Sequence, residues 1–207
     1  MPDIKEVFRD SALIKRIQNK LPKLFHMAEL ESMRAGSIGM EVGSLREKII
    51  TALLIHKFGL NEVDTKLPIT EPEADVKLSG RKISIKTITN SGGVKAVWTV
   101  DAESAKRFVQ NYLPQCDIIF VNIWWGANKG GLYLIPLNVQ QDIFKRLGRE
   151  RYLKMPKAGT NPRGTEFSKE AVELMIQHKN TLRIVINWKK EASDYDPYKR
   201  WVDYWAE

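Results

Sequence analysis

The chain has 207 residues, of which 43% are hydrophobic and 28% charged, as in ordinary globular proteins. Its net charge of +8 favours a polyanionic partner such as nucleic acid. With one cysteine and three histidines, an internal disulfide is excluded and a structural zinc site is disfavoured. The chain begins with charged residues and contains no apolar run of membrane-spanning length, so we expect a cytoplasmic protein with no membrane segment.

The N-terminal third is predicted to be mainly helical. Apolar residues at helical spacing predict a helix over residues 11–30, with a break near Pro22. A glycine-punctuated segment at 36–43 follows. Ser44 is then the expected N-cap of a second helix over 44–58, closed by Gly59.

A tight hairpin is the most informative feature of the middle of the chain. Val76 and Leu78, then Ile83 and Ile85, alternate with polar residues at the period of half-buried strands, and Ser79-Gly80 supplies the turn. Pairing across this turn would bring Asp75 near Lys86. A carboxylate beside a lysine can bind a divalent metal and take part in proton transfer, although most such pairs are weak surface ion pairs.

Strands and helices alternate in the remainder, which predicts an α/β fold with a mixed central sheet flanked by helices. Residues 118–125 should form a strand buried on both faces. Further strands are predicted over 132–135 and 182–188, and further helices over 101–113, 139–147, 168–179 and after Pro197. The last helix carries an apolar stripe that should pack on its own domain, or alternatively form a dimer contact: Tyr198, Trp201, Val202 and Trp205.

The order of helix, Asp75-bearing hairpin with Lys86, helix and further strands resembles the core of PD-(D/E)XK nucleases over residues 36–188. Within that superfamily the chain resembles type II restriction endonucleases, and among these ThaI, which cuts CGCG. The resemblance implies a single nuclease domain, with a helical N-terminal region over 1–35, the catalytic core over 36–188 and a C-terminal helix over 189–207.

The motif of this chain departs from the family pattern at two positions. Ala74 replaces the proline of "PD", and Ser84 replaces the middle acid of "(D/E)XK". Because serine cannot supply a negative metal ligand, the resemblance points to Glu47 as the completing carboxylate. The alternative is that Ser44 and Glu47 form a capping box, in which Glu47 bonds only to backbone.

The resemblance implies Mg²⁺-dependent hydrolysis of double-stranded DNA, with Mn²⁺ able to substitute. Asp75, Glu47 and the backbone carbonyl of Ile85 are the expected metal ligands. Lys86 would orient or deprotonate the attacking water, and Ser84 could bond to a metal-bound water. The products would be a 5′-phosphate and a 3′-hydroxyl. A palindromic target calls for two active sites related by a two-fold axis, so we expect a homodimer at least on DNA.

A basic segment is the candidate for DNA recognition. Residues 145–169 carry eight basic and two acidic side chains, so this segment has a net charge of +6 out of the +8 of the whole chain. Arg163, followed by Lys154 and Lys157, is expected to reach guanine edges, while the other charges contact phosphate. Met40, on the segment before the second helix, could wedge between base steps from the minor groove or simply cover core.

Three other interpretations remain open. The chain could be a nuclease of the same core that cuts by DNA structure, as repair or junction-resolving enzymes do. It could be a DNA-binding module whose catalysis has decayed, with Ser84 as the trace of that loss. It could also be a protein with no nucleic-acid role, for which the positive charge is incidental.

Overall fold

A six-stranded sheet lies between two groups of helices in the computed structural model of the chain, which describes residues 1–68, 73–99, 101–154 and 164–207. A 3-10 helix at Ile4–Phe8 precedes seven α-helices: α1 (Ser11–Glu31), α2 (Val42–Phe58), α3 (Ala102–Asn111), α4 (Leu137–Leu147), α5 (Arg149–Tyr152), α6 (Lys169–Gln177) and α7 (Lys199–Ala206). The strands are β1 (Met33–Arg34), β2 (Ser37–Ile38), β3 (Val63–Asp64), β4 (Val76–Leu78), β5 (Arg81–Thr89), β6 (Val94–Val97), β7 (Asp117–Ile123), β8 (Gly131–Ile135), β9 (Leu153–Lys154), β10 (Thr165–Phe167) and β11 (Leu182–Val185).

The main sheet has the strand order β11-β8-β7-β5-β4-β3. Only β5 and β7 pair in parallel; every other neighbouring pair in it is antiparallel. A parallel pair needs a long crossover, and the chain makes this one through β6 and α3. The predicted α/β class with a mixed central sheet is therefore confirmed.

Each face of the main sheet packs on its own hydrophobic core. The first core joins α1 and α2 to alternate residues of the sheet, including Val76 and Ile85. The second core joins α4 and α6 to the opposite face, including Ile118 and Phe120. β7 contributes to both cores, as its continuous apolar run predicts. Among the described residues, no helix is both long and apolar enough to span a membrane.

Three local predictions are wrong, each where tertiary packing outweighs a local signal. α1 continues through Pro22, which is buried on the face that also buries Leu21 and Phe25. α2 begins at Val42, two residues before the predicted cap. The strand predicted over 182–188 ends at Val185, although Ile186 and Trp188 remain fully buried in the first core.

The C-terminal stripe does not pack on its own domain. Tyr198, Trp201 and Trp205 are 71%, 53% and 92% exposed, and Val202 is also exposed. Within α7, which is described in full, no residue is buried. The apolar stripe therefore remains on the surface of the chain.

Candidate active site

The β4–β5 hairpin places Asp75 at the end of β4 that lies away from the turn. Ser79 and Gly80 form that turn with φ of 47° and 81°, a left-handed pair that matches the twist of a two-residue hairpin. Val76 pairs with Ile83, and the Asp75 N–H donates to the Ile83 carbonyl at 2.9 Å. The predicted hairpin is confirmed, and its register brings Asp75 beside the middle of β5.

Three donors converge on a single oxygen of Asp75. Oδ2 accepts hydrogen bonds from the Ile85 N–H at 2.6 Å, from Ser84 Oγ at 3.2 Å and from Lys86 Nζ at 3.3 Å. The side chain of Lys86 is 14% exposed and that of Asp75 is 27% exposed. This is a half-buried, oriented carboxylate, in contrast to the mobile partner of a surface ion pair.

Glu47 adds a second carboxylate to this cluster from α2. Burial, with a smaller contribution from the nearby Asp75 carboxylate, raises its pKa from 4.5 to about 7, and Lys86 opposes this shift. Its side chain is thus close enough to interact with both hairpin residues. The capping-box alternative is excluded because Glu41 is the N-cap of α2, so Ser44 lies inside the first turn.

Glu73 is a site carboxylate that the sequence interpretation undervalued. Burial raises its pKa to about 7, while Lys86 and Lys82 lower it. Its charge also acts on the buried phenols of Tyr112 and Tyr152. The sequence signal is its spacing of two residues from Asp75, but only the packed structure distinguishes it from a solvated glutamate.

Ser84 lies at the position where the nuclease motif has an acid. It is 2% exposed, and its hydroxyl is the donor to Asp75 described above. Among the described residues, no group of three or more histidine, cysteine, aspartate or glutamate side chains could hold a metal ion. Asp75 and Glu47 are carboxylates of this cluster that could hold a divalent cation together with backbone carbonyls and water.

The predicted DNA-contacting residues have different outcomes. Met40 lies between the β1–β2 hairpin and α2, and it is 92% exposed, so it does not cover core. Lys154 is exposed at the end of β9. Lys157 and Arg163 lie outside the described residues.

Cys116 is buried, as expected, and burial raises the pKa of its thiol to about 12.

A family model for the restriction endonuclease ThaI matches residues 7–207. The chain belongs to this restriction endonuclease family. The predicted family is thus confirmed over nearly the whole length, although two motif positions differ from the superfamily pattern.

A solved structure described as a restriction endonuclease in complex with substrate DNA is similar throughout the chain. The two share 53% sequence identity, the match covers 98% of each chain, and the TM-score is 0.89. No protein among the curated sequences matches the chain. The family and this structure together identify a DNA-binding restriction endonuclease.

Proposed function

We propose that the chain hydrolyses double-stranded DNA at the palindrome CGCG, as a type II restriction endonuclease that uses Mg²⁺ and accepts Mn²⁺. The observation that carries this proposal is the cluster of Asp75, Lys86 and Glu47 at the open end of the β4–β5 hairpin. The similar structure that holds substrate DNA supports the same reaction class.

The donor set fits a magnesium ion. Two carboxylates, Asp75 and Glu47, repel each other in this half-buried site, and a divalent cation between them would remove that cost. The Ile85 N–H points toward Asp75, and because the N–H and C=O of one strand residue point to the same side, its carbonyl faces the same edge of β5, past Val76, the first residue of β4. Magnesium prefers such oxygen ligands and retains several waters. When bound, it would lower the pKa of a water and neutralise charge on the phosphate.

The protein side chains then have separate roles. The Lys86 ammonium, held 3.3 Å from Asp75, orients the attacking water and stabilises charge that develops on the phosphoryl oxygens. Ser84 donates to Asp75 and keeps that carboxylate in one orientation. Cleavage with these parts leaves a 5′-phosphate and a 3′-hydroxyl.

DNA recognition is assigned to two parts of the chain, the segment that carries Met40 and the basic segment over residues 145–169. Met40, which is almost fully exposed, enters the base stack from the minor groove. Lys154, together with Lys157 and Arg163, supplies contacts to phosphate and guanine. A palindromic site is cut on both strands by a homodimer whose two active sites share a two-fold axis.

Digestion of a plasmid of known sequence with Mg²⁺ tests this function. The wild type is compared with Asp75→Ala and with Asp142→Ala, an exposed aspartate on α4 that serves as the matched control. We expect discrete fragments that map to CGCG, lost only in Asp75→Ala. DNA binding without cleavage by the wild type would indicate a decayed module, and cleavage without a sequence pattern would indicate a structure-directed nuclease.

A further inference from the structure

We propose that the C-terminal segment of one copy docks in the groove between α1 and α2 of a second copy, so that a symmetric dimer exchanges two such segments. The docking segment is residues 201–207, which carry the exposed tryptophans of α7. The groove is a cavity of about 320 Å³ between the two helices. This inference rests on the homodimer of the proposed function. It assigns the dimer interface to two surfaces, the C-terminal segment and this groove.

The α7 helix has one i,i+4 ion pair, Lys199 Nζ to Asp203 at 2.9 Å, but no packing that buries its apolar side chains. It has eight residues, no side-chain N-cap bond and, over its fully described length, no buried side chain. Isolated helices of this length are marginal in water. Its basic Lys199 and Arg200 lie at the N-terminal end and its acidic Asp203 lies near the C-terminal end, which opposes the helix dipole. A packing partner outside the chain would supply the missing stabilisation.

The groove presents an apolar surface that the chain itself leaves uncovered. Leu24, Ile49 and Leu53 line it, and Leu24 is 38% exposed although it is a large aliphatic residue. Arg16, Lys20 and His56 complete the lining. None of the described residues that line the groove is acidic. The site is therefore suited to an apolar segment that also carries negative charge.

The segment and the groove have opposite charge. Residues 201–207 carry two acidic side chains, Asp203 and Glu207, and no basic one, in a protein whose total charge is +8. Residues 11–24, which form the α1 wall of the groove, carry four basic side chains and no acidic one: Lys15, Arg16, Lys20 and Lys23. Complementary charges of this kind orient an interface and select its partner.

The same chain cannot easily fill its own groove. Arg200 forms an ion pair with Glu31 at 2.7 Å, and Tyr195 also hydrogen-bonds to Glu31, so the residues just before the docking segment are attached at the C-terminal end of α1. Leu24 lies seven residues earlier on this helix, roughly 10 Å away. The tryptophans of α7 remain exposed in that arrangement, which leaves them available to a second copy.

The reciprocal contact buries the aromatic side chains of both copies. A two-fold axis repeats the contact, so Trp201 and Trp205 of each copy become buried. Because Trp201 is 53% exposed and Trp205 is 92% exposed in the free chain, the four side chains together lose up to roughly 400–700 Å² of exposed surface. The contact therefore lies at the low end of the size range of specific protein interfaces.

Intermolecular disulfide formation tests the contact directly. Ala52, exposed on the α2 wall, is changed to Cys in one sample and Ala206, the exposed last residue of α7, is changed to Cys in another, and the two full-length proteins are mixed and oxidised without DNA or metal. The native Cys116 is buried and does not interfere. We expect a covalent dimer in the mixture, at least five times more abundant than in a mixture of Ala206→Cys with the control Asn111→Cys.

Other outcomes overturn the proposal. A dimer formed by Ala206→Cys alone would show that α7 pairs with α7, and equal yields with Ala52→Cys and Asn111→Cys would exclude the groove. Because neither DNA nor metal is present, failure here is separate from failure of cleavage.

Charge reversal gives a second measurement on the same surfaces. Sedimentation should show that Lys20→Glu or Glu207→Lys weakens dimerisation about tenfold, whereas the exposed control Lys106→Glu leaves it unchanged. The double variant Lys20→Glu, Glu207→Lys should recover at least half of the loss. If the loss of dimer affinity in the double variant equals the sum of the two single losses, these surfaces do not contact each other. If Lys20→Glu weakens DNA binding and leaves dimerisation unchanged, the groove is a phosphate site.

Discussion

Lys86 Nζ lies 3.3 Å from Asp75 Oδ2, although the two residues are 11 positions apart in the chain. The paired strands β4 and β5 bring them together, and the same carboxylate oxygen is also held by the Ile85 N–H. The pair is thus built into a sheet. Its position beside Glu47 gives it chemical significance beyond that of an ordinary ion pair.

Replacement of Lys86 by Met should lower DNA cleavage by roughly 10²–10⁴-fold, because the change removes the positioned donor and cation from the reacting phosphate. Single-turnover cleavage at saturating enzyme measures this effect, and DNA affinity in Ca²⁺ should change by less than about threefold. Lys106→Met, a change at an exposed lysine of α3, is the control. Cleavage that survives in Lys86→Met would reduce the pair to a structural role.

Stability of the metal-free protein should fall as pH rises from about 4.5 to about 7. Glu47 and Glu73 have folded pKa values of about 7 against an ordinary value of 4.5, so in this range the unfolded chain has lost protons that the folded chain keeps. Asp10 and Asp101 have lowered pKa values, and their opposite effect is confined to pH near or below 3.8.

Thermal unfolding across this pH range measures the effect. Glu47→Gln should reduce the change in unfolding free energy across this pH range by about 1–2 kcal/mol, after the pKa shift is discounted for partial solvent screening. The corresponding difference in melting temperature is about 2–8 °C. A divalent cation should bind more tightly as pH rises through about 7, with release of protons. An unchanged pH profile in Glu47→Gln would place its carboxyl in solvent.

Met40→Ala should leave the free protein folded, because the side chain is 92% exposed, yet it should weaken specific binding to CGCG by roughly tenfold or more. A fluorescent base analogue placed in the recognition site reports on stacking. We expect the wild type to unstack this base and Met40→Ala to leave it stacked. Identical fluorescence with both proteins would reject the wedge.

Arg46→Met should destabilise the fold by about 1–3 kcal/mol, since it removes the buried cation beside Glu29. The loss is moderated because Lys190 Nζ, 2.7 Å from Glu29, and the Trp125 indole N–H still bind this carboxylate. Arg46 and Glu29 lie 2.7 Å apart, and their side chains are 5% and 1% exposed. Denaturant unfolding measures the loss. The exposed pair of Arg107 and Glu103 provides the control, and Arg107→Met should cost no more than about 1 kcal/mol. Equal losses in both variants would indicate that burial does not determine the cost.

The hairpin and the proximity of Asp75 to Lys86 could be predicted from the amino-acid sequence. The alternation of apolar and polar residues and the Ser79-Gly80 turn are signals that span only a few residues, so they can be recognised without knowledge of the rest of the fold. The α/β class and the doubly buried β7 followed from the same local periodicity. The family resemblance added Glu47, which no local pattern distinguished from a capping glutamate.

Other features depend on tertiary packing, because local signals compete with it there. Pro22 is inside α1 because the buried face around it outweighs one missing hydrogen bond, and the packing of α2 on the sheet places Glu47 close enough to interact with Asp75. The stripe on α7 has the spacing of a core helix, yet the chain buries none of it. Apolar periodicity shows that a helix face needs a partner, and only the packed arrangement of all elements shows whether that partner is in the same chain.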